Sequence, residues 1–266
     1  MMLLFTYRWR AEGKSLINWL ITVSLVTCGA FMLFVSFINV DEIAQLFGEW
    51  LAKAPPALRN LMGGQLVVAE PAAFVSQIIL QTILPGLILV YVCLSVAAIY
   101  TRDANEGNLE FLLSLPIKRY RVLAGRLLVF LVSLALLHVA IFASANLGLF
   151  ICGKSANAAR IALILLNQYL LFVCIGGLAF LISLASKDYS KILLITLACF
   201  FGLYSMNVFM DTNQDFASVI NPFYYYNATE IYSTGLVPWQ NFLVLTASSL
   251  FFWVSGIWIF SRKQIT

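Results

Sequence analysis

The stretch "LLVFLVSLALLHVAIFASANLGLFIC", residues 127–152, decides the fold class of this 266-residue chain. It contains no Asp, Glu, Lys or Arg, and His138 is its only histidine. At 1.5 Å per residue, a helix over this stretch is about 39 Å long, which exceeds the roughly 30 Å of a hydrocarbon layer. The stretch therefore predicts a helix that crosses a membrane.

The composition of the whole chain points the same way. Hydrophobic residues make up 62% of it and charged residues only 11%, whereas a soluble domain has about 25% charged residues. The mean hydropathy is +0.92. A chain with so little charge cannot cover a folded domain with polar surface, so the composition excludes a soluble protein.

Hydropathy predicts six spans, each near or above the roughly 20 residues that cross a bilayer. They cover residues 16–40, 73–100, 127–152, 161–186, 192–210 and 242–260. The remaining segments are a cytoplasmic interfacial helix over 1–15, a cytoplasmic segment over 101–126 and an outer re-entrant or cap loop over 211–241. The predicted fold is a single all-α membrane domain.

The basic residues predict the orientation of the spans. Those expected in the cytoplasm are Arg8, Arg10, Lys14, Arg102, Lys118, Arg119, Arg121, Arg126, Lys187, Lys191, Arg262 and Lys263. Those expected outside are fewer: Lys53, Arg59, Lys154 and Arg160. Because cytoplasmic loops carry the excess of Lys and Arg, both termini are predicted to be cytoplasmic.

One stretch matches a nucleotide-binding motif in sequence but not in context. "GLFICGKS", 148–155, fits the phosphate-loop pattern, but a phosphate loop follows a strand, whereas this stretch ends a predicted span on the outer face. Gly148 is better explained by a ridge of small residues, with Ala140 and Ser144, that another helix approaches. Gly153 then ends the helix. The chain is predicted to have no ATPase site and to bind no cofactor or metal.

The cytoplasmic segment "TRDANEGNLEFLLSLPIKRYRVLAGRLL", 101–128, carries the functional information. Leu109 and Leu112 recur at helical spacing, and Glu106 and Glu110 lie four residues apart on another face. This pattern predicts a short surface helix that Pro116 ends. Periodicity alone is equally compatible with an ordinary amphipathic connector.

From Gly107 to Arg119 the same segment resembles the run G-T-L-E-x-L-L-x-x-P-x-x-R of the ABC-2 type transporter permeases, with Asn108 in place of the usual threonine and Glu106 directly before the run. The resemblance implies a coupling helix that docks into a separate cytoplasmic ABC ATPase, present in two copies, which binds ATP and Mg. It also implies a second permease chain, identical or related. The coupling residues implied are Arg102, Glu106, Gly107, Leu109, Glu110, Phe111, Leu112 and Pro116.

Several uncharged polar residues lie within the predicted spans. They are Gln77, Gln81, Asn146, Asn167, Gln168 and Asn207. Two interpretations stay open: they line a substrate path, or they form hydrogen bonds that hold the helices together. Pro85, on the second span, predicts a kink.

The resulting functional hypothesis is the permease subunit of an ATP-driven exporter. It would lie in the inner or plasma membrane of a prokaryotic cell, surrounded by lipid and with no nucleic-acid partner. One alternative is an ABC-type membrane module that transmits force or scaffolds a complex without transporting. A secondary transporter is disfavoured, because His138 is the one ionisable residue well inside a predicted span.

Overall fold

A computed structural model describes residues 2–37, 49, 53–55, 76, 78–105, 119–186, 188–209 and 220–262. One predicted pathway residue, Gln77, lies outside the described residues. So does most of the predicted coupling helix: Glu106, Gly107, Leu109, Glu110, Phe111, Leu112 and Pro116. Arg102 lies on a described helix, within the last turns before the segment 106–118.

The described residues form helices and turns, with no strand among them. The α-helices are α1 (Met2–Phe37), α2 (Leu84–Asn105), α3 (Arg119–Ile151), α4 (Ala158–Ser183), α5 (Tyr189–Phe209), α6 (Ala228–Thr234) and α7 (Trp239–Arg262). A π-helical turn, Ile79–Ile83, leads directly into α2, and a 3₁₀ turn, Pro222–Tyr225, precedes α6.

Six of these helices are long and apolar enough to cross a membrane, which confirms the predicted all-α, six-span fold. The apolar stretches are Gly13–Leu33, Ile79–Ile99, Leu123–Ile151, Ala158–Ser183, Tyr189–Asn207 and Trp239–Arg262. The predicted N-terminal helix and first span are parts of one continuous helix, α1. Helix α4 is the centre of the bundle and contacts α2, α3, α5, α6 and α7, whereas α1 packs mainly on α3.

Small residues set the closest helix contacts. A Cβ added to Gly148 on α3 would lie 2.9 Å from Phe31 Cβ and 3.2 Å from Cys28 O, both on α1. Such distances leave no room for a side chain, so the predicted role of Gly148 in a close helix contact is confirmed. Gly148 lies within a helix and not in a loop after a strand, so the geometry of a phosphate loop is absent here.

The turn between α3 and α4 follows ordinary helix-capping chemistry. Gly153 has φ +66°, a left-handed conformation that favours glycine. The Lys154 N–H donates to Leu149 O at 3.0 Å, which closes the C-terminal turn of α3. Asn157 Oδ1 accepts hydrogen bonds from the first turn of α4. The predicted role of Gly153 as a helix terminator is confirmed.

Candidate functional site

The candidate site lies between the π-helical turn, α3, α4 and the residues that follow α5. We call the bundle end where α3 ends and α4 begins the outer end, in the orientation that the basic residues predict. Residues 220–234, which include the 3₁₀ turn and α6, are called the outer cap. Their buried members include Phe223, Tyr226, Ala228, Ile231 and Tyr232.

Pro85 explains why one backbone carbonyl on the second span, that of Leu80, has no backbone donor. The Leu84 N–H donates to Ile79 O, five residues back, as in a π-helix. In that register the next acceptor is Leu80 O, and its donor would be the N–H of residue 85. Proline has no N–H. The Tyr226 hydroxyl of the outer cap donates to Leu80 O instead, at 2.7 Å.

A second hydrogen bond attaches the cap to the same turn. The backbone N–H of Ala228, in the first turn of α6, donates to Gln81 Oε1 at 2.7 Å. Gln81 and Tyr226 are 8% and 4% exposed, so both hydrogen bonds are protected from water. Burial also raises the pKa of the Tyr226 phenol, so the hydroxyl keeps the proton that it donates.

The cap reaches deep along α4. Asn157 caps the outer end of α4, and Asn167 follows ten residues later, about 15 Å along the axis. Asn167 Nδ2 donates to Tyr225 O at 3.0 Å. At the other end of the cap, the Asn157 N–H donates to the Tyr232 hydroxyl at 3.4 Å. The cap therefore extends from the outer start of α4 to a depth of about 15 Å.

On α3 and α4, four buried polar atoms have no hydrogen-bond partner among the described residues. They are both amide atoms of Gln168, Asn167 Oδ1 and His138 Nε2. His138 Nδ1 lies 2.8 Å from Leu134 O, so it carries the ring proton, and Nε2 is an acceptor when the ring is neutral. The His138 ring packs edge-on against Tyr169. We call Asn167, Gln168 and His138 the polar layer.

The predicted pathway residues fall into separate groups. Gln81 and Asn167 bind the outer cap, and Gln168 is buried next to Asn167 with both amide atoms unpaired among the described residues. Asn146 Nδ2 donates to Phe142 O of its own helix at 2.7 Å. Asn207 is partly buried near the end of α5.

Sequence reasoning missed two residues that position the cap. Asn221 Oδ1 accepts from the Phe223 N–H, and its Nδ2 donates to Leu203 O of α5 at 2.7 Å. Tyr226 falls within the predicted outer loop 211–241, but no sequence pattern distinguishes it from the other residues of that loop. The signal that an Asn-Pro pair starts a capped turn was present at Asn221, but no local signal connects Tyr226 with Pro85.

At the other end of the bundle, α2 and α3 flank the segment 106–118. The Arg126 guanidinium on α3 is 8% exposed and donates to Ile99 O near the end of α2. This charge-assisted hydrogen bond to a carbonyl is shielded from water and links the two helices directly. The segment therefore joins two helices that are fastened to each other.

Six apolar helices around a buried polar layer are typical of a multi-pass membrane transport protein. The model of the family described as ABC-2 family transporter protein matches residues 14–265. The chain belongs to this family and is thus a permease component of an ABC transporter in the plasma membrane. The family implies an ABC ATPase as partner subunit. Searches of curated proteins and of solved structures gave no match.

Proposed function

We propose that this chain is the permease subunit of an ATP-driven exporter. Two permease chains would work with two copies of a cytoplasmic ABC ATPase, which alone binds ATP and Mg²⁺ and hydrolyses the nucleotide. The family match over residues 14–265 carries this proposal. The hydrogen bond from Arg126 on α3 to Ile99 O on α2 supports it, since it links the two helices that flank the segment 106–118.

The coupling step follows from this arrangement. A protein that pushes on residues 106–118 displaces the end of α2 and the start of α3. Because Arg126 joins α3 to Ile99 O, the two helices move as one body instead of separating. In the contact set proposed for the ATPase, Arg102, Glu106 and Glu110 supply the charges, and Leu109, Phe111 and Leu112 supply the apolar surface.

Arg126→Met tests the coupling step. Methionine keeps most of the apolar stem but leaves Ile99 O without this donor. A buried hydrogen bond to a charged group contributes about 1.5–3 kcal/mol, or roughly a 10- to 100-fold change in an equilibrium. We expect the chain to insert and to keep its ATPase, while the stimulation of ATP hydrolysis by the permease falls about tenfold. The measurement compares hydrolysis by the purified complex with that of the ATPase alone.

Lys154→Met is the matched control, because Lys154 is exposed at the outer end. It should leave both the complex and the stimulation unchanged. Tagged chain purified intact from native membranes without any ABC ATPase would contradict the proposal. A complex that hydrolyses ATP, and moves none of the lipids and peptides offered in vesicles, would favour the force-transmitting module.

We further propose that the exported molecule passes the polar layer. Gln168 is 0% exposed, and its amide offers a donor and an acceptor without partners among the described residues. A buried amide without partners destabilises the fold by about 1–3 kcal/mol. Such a cost is explained if the amide binds a neutral hydrogen-bonding group of the cargo, or water, when the path is open.

Gln168→Leu separates this proposal from a structural role. Leucine has similar volume and no unpaired polar atoms, so the unfolding midpoint should rise by about 2–6 °C while export falls. Asn167→Leu is the contrasting variant, since it breaks the bond to Tyr225 O and should lower the midpoint. A fall in the midpoint with Gln168→Leu would instead show that its amide holds the bundle together.

A further inference from the structure

The π-helical turn and the outer cap depend on each other. The turn leaves Leu80 O without a backbone donor, because Pro85 has no N–H, and Tyr226 supplies the missing donor. The same turn presents Gln81 to the backbone of Ala228. A π turn is rarer and less favourable than an α turn, so the two bonds from the cap stabilise a register that the isolated helix would leave.

A change to α register would break both bonds. In an α-helix the Leu84 N–H donates to Leu80 O, four residues back, instead of to Ile79 O. A change from π to α register also rotates the start of the turn relative to α2, by up to about 100°, given 3.6 residues per turn. This rotation carries Gln81 away from Ala228 and changes the direction of Leu80 O.

We propose that Tyr226 and Gln81 form a latch that holds the outer cap on the π-helical turn of α2, and that a shift of this turn towards α register releases the cap. Release opens the polar layer to the outer side. Helix α2 connects the turn with the segment 106–118, so the inference rests on the proposed function for the step that drives the shift. The latch itself lies wholly within this chain.

The interactions around Asn167 complete the device. Its Nδ2 holds Tyr225 O, and its Oδ1 has no partner among the described residues. When the cap leaves, water reaches Asn167 and the neighbouring Gln168, and their amide atoms gain partners. The latch bonds thus stabilise the closed arrangement, and hydration of the polar layer stabilises the open one. Two arrangements balanced in this way form a bistable element that a movement of α2 can bias.

The test measures how often the outer cap opens, from the rate at which a buried cysteine is labelled. Ala228→Cys, in a chain whose five native cysteines are replaced, places a thiol at a fully buried position and keeps the backbone N–H. The probe is a membrane-impermeant thiol reagent added from outside to the complete complex in membranes without nucleotide. Tyr226→Phe removes one hydroxyl and should raise the labelling rate about tenfold, as expected for one net hydrogen bond.

Matched variants distinguish the latch from general loosening. Tyr224→Phe changes a neighbouring, partly exposed tyrosine and should leave labelling at the parent rate. Gln81→Leu removes the other latch bond and should also raise labelling about tenfold. Pro85→Ala restores an N–H next to Leu84, so Leu80 O no longer depends on Tyr226. In the Pro85→Ala background, Tyr226→Phe should therefore add no more than about a twofold increase.

The labelling results that would contradict the latch differ from those that would contradict the proposed function. Parent-rate labelling in both Tyr226→Phe and Gln81→Leu, with folded protein at normal amounts, would overturn the latch. An equal effect of Tyr226→Phe with and without Pro85→Ala would overturn the role of the π register. If only the ATPase assignment were wrong, adding ATP would leave the labelling rate of every variant unchanged. Tyr226→Phe would still raise the labelling rate measured without nucleotide.

Discussion

Gly177→Leu is expected to prevent α4 and α7 from packing and to leave little folded chain in the membrane. A Cβ at Gly177 would lie 2.9 Å from Phe252 Cβ and 3.1 Å from both Trp253 Cδ1 and Nε1. Phe252 Cβ is bonded to the backbone, so no rotation of a side chain relieves the first clash. The helices must separate, which also breaks the bond from Trp253 Nε1 to Val173 O, 3.0 Å long.

The expected loss of stability is large. Overpacking a well-packed core typically costs about 1–3 kcal/mol, and a lost buried hydrogen bond adds about 1–2 kcal/mol. For a chain of this size, 4 kcal/mol lowers the unfolding midpoint by about 10 °C. The measurement is the midpoint of the purified protein in detergent, together with its amount in the membrane fraction.

Gly202→Leu is the control for this prediction. Gly202 lies on α5, also within an apolar spanning stretch, and a Cβ there would meet no atom within 4 Å. The same substitution at Gly202 should shift the midpoint by less than about 2 °C. Equal midpoints for Gly177→Leu and the unaltered chain would show that α4 and α7 are less closely packed than described.

Glu110→Arg is expected to remove the ABC ATPase from the complex while all six spans remain inserted. Glu110 belongs to the segment that the family resemblance implies as the docking element, between the end of α2 and the start of α3. Reversing a charge at a docked, partly desolvated pair costs about 2–5 kcal/mol, or roughly a 30- to 4,000-fold loss of affinity. An exposed pair would cost at most about 1 kcal/mol.

Co-purification of the ATPase with a tagged chain, at equal amounts of permease, measures the loss. Glu230→Arg serves as the control, because Glu230 is exposed on α6 at the predicted outer end. It should leave the yield of ATPase unchanged. If Glu110→Arg also retained the full yield and rate of hydrolysis, the segment 106–118 would be a connector and not the docking element.

Single-helix properties were predictable from the sequence because they depend on neighbours along the chain. The spans follow from apolar length, as the stretch 127–152 illustrates within α3. Gly153 ends a helix because glycine tolerates positive φ, and Gly148 permits a close contact because it has no Cβ. Residues 14–265 match the family that the segment after the second span resembles.

The candidate site was predictable only in part. Polar residues in spans were recognisable, yet the sequence left open whether each lines a path or binds another helix. The fold distinguishes them: Asn146 donates to its own helix, Asn167 donates to the cap, and Gln168 has neither partner among the described residues. These differences depend on which direction each side chain faces after the helices have packed.

The sequence by itself determined the six spans, the end of α3 before Gly153 and the membership of the ABC-2 family, because apolar length, capping and a short motif are local properties. Only the tertiary structure decided that Tyr226 supplies the donor that Pro85 cannot, and that Arg126 fastens α3 to Ile99 O. The Tyr226 hydroxyl and Leu80 O are 146 residues apart in the chain. A free carbonyl can be inferred from a proline, but the residue that satisfies it depends on how distant helices pack.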